Sequence, residues 1–222
     1  ESTRPGADAL VPEQELARLL PVLEALKDSK VAISVDTRHP ETMRAVLDYS
    51  VDLINDVNGL RAPGAVEALS GSKAGVCIMH MSGDPLTMQH DPVYRSVVSE
   101  VSGFLHDRLA VLRLSGVEGS RLMVDPGIGF GKNLSHNLQL LAYIRQIEAV
   151  CDCPVLIGLS RKSMLGELTG RSVTDRLAGS LGGALAAVVN GASILRVHDV
   201  AETRDALTVF NTIVARSETA CD

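Results

Sequence analysis

A chain of 222 residues that is 45% hydrophobic is long enough to bury one sizeable core, and it reads as a single domain spanning 1–222. Its net charge of -6 and the lack of any Lys/Arg-rich run exclude a nucleic-acid surface, which needs a basic stripe. The stretch LGGALAAVVNGASIL (181–195) is broken by Gly and Asn and falls short of the roughly 20 apolar residues that a membrane-spanning helix requires.

The chain starts in a polar Pro-Gly segment, ESTRPGA (1–7), with the character of a loop. Helical apolar spacing follows over PEQELARLLPVLEALK (12–27), then a β-branched run, KVAISVD (30–36). The alternation repeats five more times. PETMRAVLDYS (40–50) precedes VDLINDV (51–57), and APGAVEALSG (62–71) precedes GVCIMH (75–80). PVYRSVVSEVSGFLHDRLAVLRLSG (92–116) leads to RLMVDP (121–126), and LSHNLQLLAYIRQIEAV (134–150) to CPVLIGLS (153–160). TDRLAGSLGGALAAVVNG (174–191) leads to ASILRVH (192–198). Several helices open on Pro or Ser/Thr and close on Gly, as isolated crossover helices do. With 3% aromatics and no Trp, the core must be built from Ala, Val, Leu and Ile, a mix suited to parallel strands covered by helices.

Each strand is continuously apolar until its C-terminal end, where a polar group stands: Asp36, Asn55, His80, Asp125, Ser160, and Arg196 with His198. Any one of these could be a helix cap or turn residue. All of them at the same end of one sheet predict a polar pocket at the mouth of an α/β barrel of the (β/α)8 TIM type. Such a barrel has eight strands and six are visible. We therefore expect ESTRPGA to be the loop leaving an earlier strand, with the first two strands missing from this chain.

Cys77, Cys151, Cys153 and Cys221 include a C-D-C pair whose one-residue gap suits neither a zinc knuckle nor a C-x-x-C redox motif. They read as reduced structural thiols of a cytoplasmic protein. GFGK (129–132) lacks the spacing of a phosphate-binding P-loop and continues with Asn133, so nucleotide binding is rejected.

The loops taken in order are ESTRPGA, SVDT (34–37), INDV (54–57), MHMSGDPLTMQ (79–89), DPGIGFGKNLSHNLQLL (125–141), GLSRKSMLG (158–166) and RVHDVAET (196–203). This set closely resembles the dihydropteroate synthases, enzymes of folate biosynthesis and targets of sulfonamides, from Glu1 to about Val209. The resemblance implies condensation of dihydropterin pyrophosphate with p-aminobenzoate, giving dihydropteroate and pyrophosphate. It implies a pterin site of Asp36, Asn55, Asp125 and Lys162, lined by Val57, Met79, Phe130 and Gly158. Carboxylates and a carboxamide suit the amino, ring N–H and carbonyl groups of the pterin edge. Arg196 and His198 would bind pyrophosphate, aided by Thr3. If the last strand alternates, the two side chains share a face. Asp199 and Glu202 resemble a capping box that starts a helix there. Thr3, Arg4 and Pro5 would belong to a loop closing over p-aminobenzoate, whose carboxylate would lie near Lys162 and Ser163. Asp36, Asp125, Lys162, Arg196 and His198 would carry catalysis by positioning and electrostatics.

Magnesium (Mg2+) is the implied cofactor, but the family's metal-holding Asn is expected upstream of Glu1. This chain should then bind the pterin half better than it turns substrate over. A homodimer is implied as well, with the small-residue helix at 174–190 supplying part of the interface. Two alternatives stand beside this reading. One is a pterin-binding methyltransferase domain, against which ESTRPG and SRKS count. The other is a pterin-binding chain without catalytic activity.

Overall fold

The computed structural model describes residues 10–83, 88–89 and 91–219. Four parallel strands pair in chain order: β1 (Ser34–Asp36), β2 (Leu53–Asp56), β3 (Gly75–Met79) and β4 (Leu122–Asp125). Strand β5 (Leu156–Ile157) pairs in parallel with β6 (Ile194–Leu195). The two groups join through a parallel bridge between Val124 and Val155 and a 3.0 Å hydrogen bond from Val124 N–H to Pro154 O. The described residues thus supply six consecutive staves of the expected TIM-type barrel.

Helices cover the outside: α1 (Pro12–Leu26), α2 (Pro40–Leu47), α3 (Ala65–Ser70), α4 (Val97–Leu114), α5 (Leu134–Ala142), α6 (Ile144–Cys151), α7 (Ser163–Thr169), α8 (Leu177–Val189) and α9 (Val200–Thr219). Pro at the first turn starts α1 and α2, where its missing N–H would have had no intrahelical partner. Strand residues Val35, Ile54, Val76, Ile78, Val124 and Ile157, with Val155 at the bridge, share one continuous core with Leu105, Leu109 and Leu112 of α4 and Ile144 and Ile147 of α6. Each such side chain contributes about 1.5–3 kcal/mol relative to exposure.

Three local expectations need correction. The segment 134–150 is two helices, because the Asn190 side chain takes the Leu141 carbonyl at 2.9 Å and replaces the backbone partner a continuous helix would use. Helix α4 starts at Val97, not in the PVYR stretch, because the Glu100 carboxylate accepts the N–H groups of Arg95 at 2.7 Å and Ser96 at 2.9 Å. Residues 163–166, read as the end of a loop, open α7, whose Met164 and Leu165 are buried.

Candidate active site

The strand register assembles the mouth. Asp36 lies opposite Asn55 across the β1–β2 pair, and Met79 lies opposite Asp125 across β3–β4. The Asn55 side chain hydrogen-bonds to the Asp36 carboxylate. Its Oδ1 is buried and has no hydrogen-bond partner among the described residues. A buried acceptor without a donor is costly, so the Asn55 oxygen stands open to an N–H donor.

Asp125 is buried, and its Oδ1 accepts the Gly127 N–H at 2.7 Å. Burial lifts its pKa above the ordinary carboxylate value, opposed by Lys162, the Gly127 N–H, Lys132 and Arg196. Burial raises Asp36 too, against the pull of Arg196 and Asn55. The Lys162 ammonium donates to Ile128 O at 2.5 Å and lies 4.7 Å from the Phe130 ring centroid. Burial pulls it down to about 8, with Asp125 resisting.

Val57 and Met79 are buried in a small apolar cluster apart from the main core, together with Met81 and Met88 and with Phe130 packed against them. This is a lining of the kind expected for a flat ligand, with two methionines that the sequence reading did not single out, although M-H-M stands in the motif. Gly158 sits beside the last strand: a Cβ there would lie 3.7 Å from the Arg196 Cβ. Arg196 anchors through its N–H to Ile157 O at 2.9 Å and reaches Asp36 with its guanidinium at 2.9 Å. It therefore ties the end of β6 to the end of β1.

Strand β6 ends at Leu195, so the alternation expected to aim Arg196 and His198 alike does not extend to His198. The His198 ring instead meets the Ser160 hydroxyl at 3.1 Å. The expected capping box is also replaced: both Asp199 carboxylate oxygens are taken by Arg161, one of them by Nε at 3.0 Å. Arg161 has φ +57°, a left-handed conformation disfavoured for a side chain of this size. The clamp fixes the turn that presents Lys162 and Ser163, the latter exposed at the start of α7. Thr3, Arg4 and Pro5 lie outside the described residues.

Several positioning residues went unnoticed in the sequence. The Asp56 carboxylate receives the N–H groups of Asn58 at 2.7 Å and Leu60 at 2.8 Å, pinning the turn after Asn55. Burial raises its pKa to about 6. Asn137 of α5 accepts the Gly129 N–H at 2.8 Å. The Lys132 Nζ meets the His80 Nδ1 at 2.9 Å, so His80 faces a buried lysine. Burial, then the Lys132 charge, lowers the His80 pKa to about 3. His80 also packs edge-on against Phe104, ring centroids 5.0 Å apart. An INDV or GFGK motif signals each residue type but not its partner.

Among the described residues no group of three or more His, Cys, Asp or Glu side chains gathers as a metal site. Cys77, Cys151 and Cys153 are buried and free. Among the described residues no helix is long and apolar enough to cross a membrane.

Residues 1–198 match the family described as pterin binding enzyme. The dihydropteroate synthase of Escherichia coli K12 is 44% identical over 219 residues, 98% of this chain and 77% of that protein. That of Neisseria meningitidis serogroup B is 46% identical over 218 residues, 96% of this chain and 76% of that protein. Among solved structures, Burkholderia cenocepacia dihydropteroate synthase complexed with 7,8-dihydropteroate superposes with a TM-score of 0.92 at 46% identity, covering 99% of this chain and 81% of that one. The Yersinia pestis enzyme in a sulfonamide drug complex gives 0.93 at 40% identity, covering 97% and 78%.

Proposed function

The chain belongs to the pterin-binding enzyme family, and we propose that its mouth performs the dihydropteroate synthase reaction through the residues described above. It is a transferase of folate synthesis: it joins the pterin methylene of dihydropterin pyrophosphate to the amine of p-aminobenzoate, releasing pyrophosphate, and it is a sulfonamide target. The methyltransferase alternative is set aside by relatives at 44% and 46% identity that are dihydropteroate synthases.

The observation that carries the residue assignment is the Asp36, Asn55 and Asp125 constellation with its orphaned Asn55 Oδ1. A pterin edge offers amino and ring N–H donors. Asn55 Oδ1 accepts one, and Asp125, held by Gly127 N–H, accepts from the others. Lys162 donates to the carbonyl side, while Phe130, Met79 and Val57 cover the ring face.

In the chemical step the aniline nitrogen attacks the methylene carbon. The C–N bond forms, the C–O bond to pyrophosphate breaks, and the amine proton leaves. Positive charge builds on the pterin as the bond breaks, and the Asp125 and Asp36 carboxylates stabilise it. Arg196, whose side chain is 60% exposed while bound to Asp36, keeps further N–H donors for the departing anion. His198 stands beside the same strand end on Ser160. Ser163 and Lys162 suit the carboxylate of p-aminobenzoate, and Thr3, Arg4 and Pro5 are our proposal for the loop above it. Among the described residues no cluster of three or more His, Cys, Asp or Glu side chains offers a ready-made cation site.

A cytoplasmic location is supported by the buried free thiols. A homodimer is supported by an exposed stripe on α8, Ala178, Gly182, Ala186 and Val189. Gly179 and Gly183, in contrast, pack inward on Leu165 and Leu159.

The test is pyrophosphate release from dihydropterin pyrophosphate with p-aminobenzoate. Release that depends on both substrates, is blocked by a sulfonamide and is lost in Asp125→Asn supports the assignment. Asp125→Asn turnover equal to that of the parent chain removes Asp125 from the site.

A further inference from the structure

Lys132 is 2% exposed. Its Nζ finds three acceptors: Phe130 O at 2.9 Å, His80 Nδ1 at 2.9 Å and His80 O at 3.3 Å. All three are uncharged, so the ammonium satisfies its hydrogen bonds without touching a carboxylate. Burying a cation this way is expensive, and packing alone would be served better by Met or Leu. The nearby anion is Asp125, the charge that favours the protonated lysine against burial.

We propose that Lys132 is a positioning residue of the pterin site, tying the loop 126–132 to the end of β3 and supplying Asp125 with a buried counter-charge. The tether acts on three site features at once. It fixes Phe130 through its carbonyl, it brings Ile128 O to Lys162, and it holds the backbone whose Gly127 N–H grips Asp125. Gly127 and His80 are so close that a Cβ on Gly127 would lie 1.9 Å from His80 O and 3.3 Å from the Lys132 Nζ. The lysine head therefore fills the seam between the two loops.

The groups acting on Asp125 are Lys162 ahead of α7, Lys132 in the loop after β4, Arg196 just past β6, Asp36 on β1 and Cys77 on β3. His80, beside Lys132, is held neutral by burial and by that lysine. Removing the Lys132 charge leaves Asp125 easier to protonate, so ligand binding should fail at a higher pH.

This inference rests on Asp125 being the carboxylate that takes the pterin edge, and the experiment separates the two ideas. Binding of 7,8-dihydropteroate to the full chain is measured by calorimetry from pH 5 to 9 for the parent, Lys132→Met, Lys132→Gln and Asp125→Asn, with a melting curve for each. Gln keeps an amide donor for the carbonyl acceptors and drops the charge, so a folded variant remains even where Met disrupts the seam. The expected result is affinity lowered on the order of tenfold in both lysine variants, with the acid limb of binding moved to higher pH. Parent affinity and an unmoved acid limb in folded Lys132 variants, whatever their melting point, overturn the proposal. Parent-like binding by Asp125→Asn overturns the pterin assignment beneath it.

Discussion

Two loops hold a lysine at the mouth, and they hold it by different physics. In the loop after β4, Lys132 is sealed among neutral acceptors, and the backbone passes through left-handed glycines at Gly127, Gly129 and Gly131. In the turn after β5, Lys162 is presented by Arg161, whose ion pair with Asp199 reaches solvent, the side chains being 39% and 12% exposed. The first loop is held by buried hydrogen bonds that salt does not screen, the second partly by charge that salt does. On the proposed assignment, the first loop grips the pterin carboxylate Asp125 through the Gly127 N–H, and the second presents the p-aminobenzoate contacts. The pterin half of the site should therefore be the rigid one and the other half adjustable.

The sharpest way to break that contrast is at Asp125. Asp125→Asn should lose roughly 1.5–3 kcal/mol of pterin binding for each charge-assisted bond removed, read by calorimetry. A loss below twofold would make the sealed loop irrelevant to ligand. Gly127→Ala comes next: its Cβ would collide with His80 O in a backbone conformation at φ +72°. We expect a cost of about 1–3 kcal/mol in urea unfolding, with pterin affinity falling alongside.

A smaller effect is the pH dependence of stability. Lys132 is held near 7 and Lys162 near 8 by burial, below the value each regains on unfolding. Between pH 7 and about 10 the unfolded chain therefore binds more protons than the folded one, and these lysines make stability rise with pH. Lys132→Met should flatten the part of that slope nearest neutrality in urea titrations. An unchanged slope means that Lys132 does not hold its proton more weakly in the fold. The smallest effect should be Asp199→Asn. It releases Arg161 and should raise the KM for p-aminobenzoate at low salt, a difference that shrinks in 1 M salt, while pterin affinity stays near the parent value. A matching drop in pterin affinity would show that the two loops are not independent.

The alternation of apolar runs with amphipathic segments, each strand closing on a polar residue, was enough to predict a parallel barrel and to nominate Asp36, Asn55 and Asp125. Those features are local, because a strand buried on both faces must be apolar until it reaches the mouth. The motifs also nominated Lys162, Arg196 and His198. What the chain order left hidden was partnership. That Arg196 bridges to Asp36 across 160 positions, that Asp199 clamps Arg161 in place of capping α9, and that Lys132 meets His80 are pairings between residues remote in sequence. Periodicity reports which face a side chain takes along its own element. Only the curvature of the sheet, which brings the end of β6 toward the end of β1 and sets the loops of β3 and β4 side by side, decides which charge it meets there and how deeply that pair is buried.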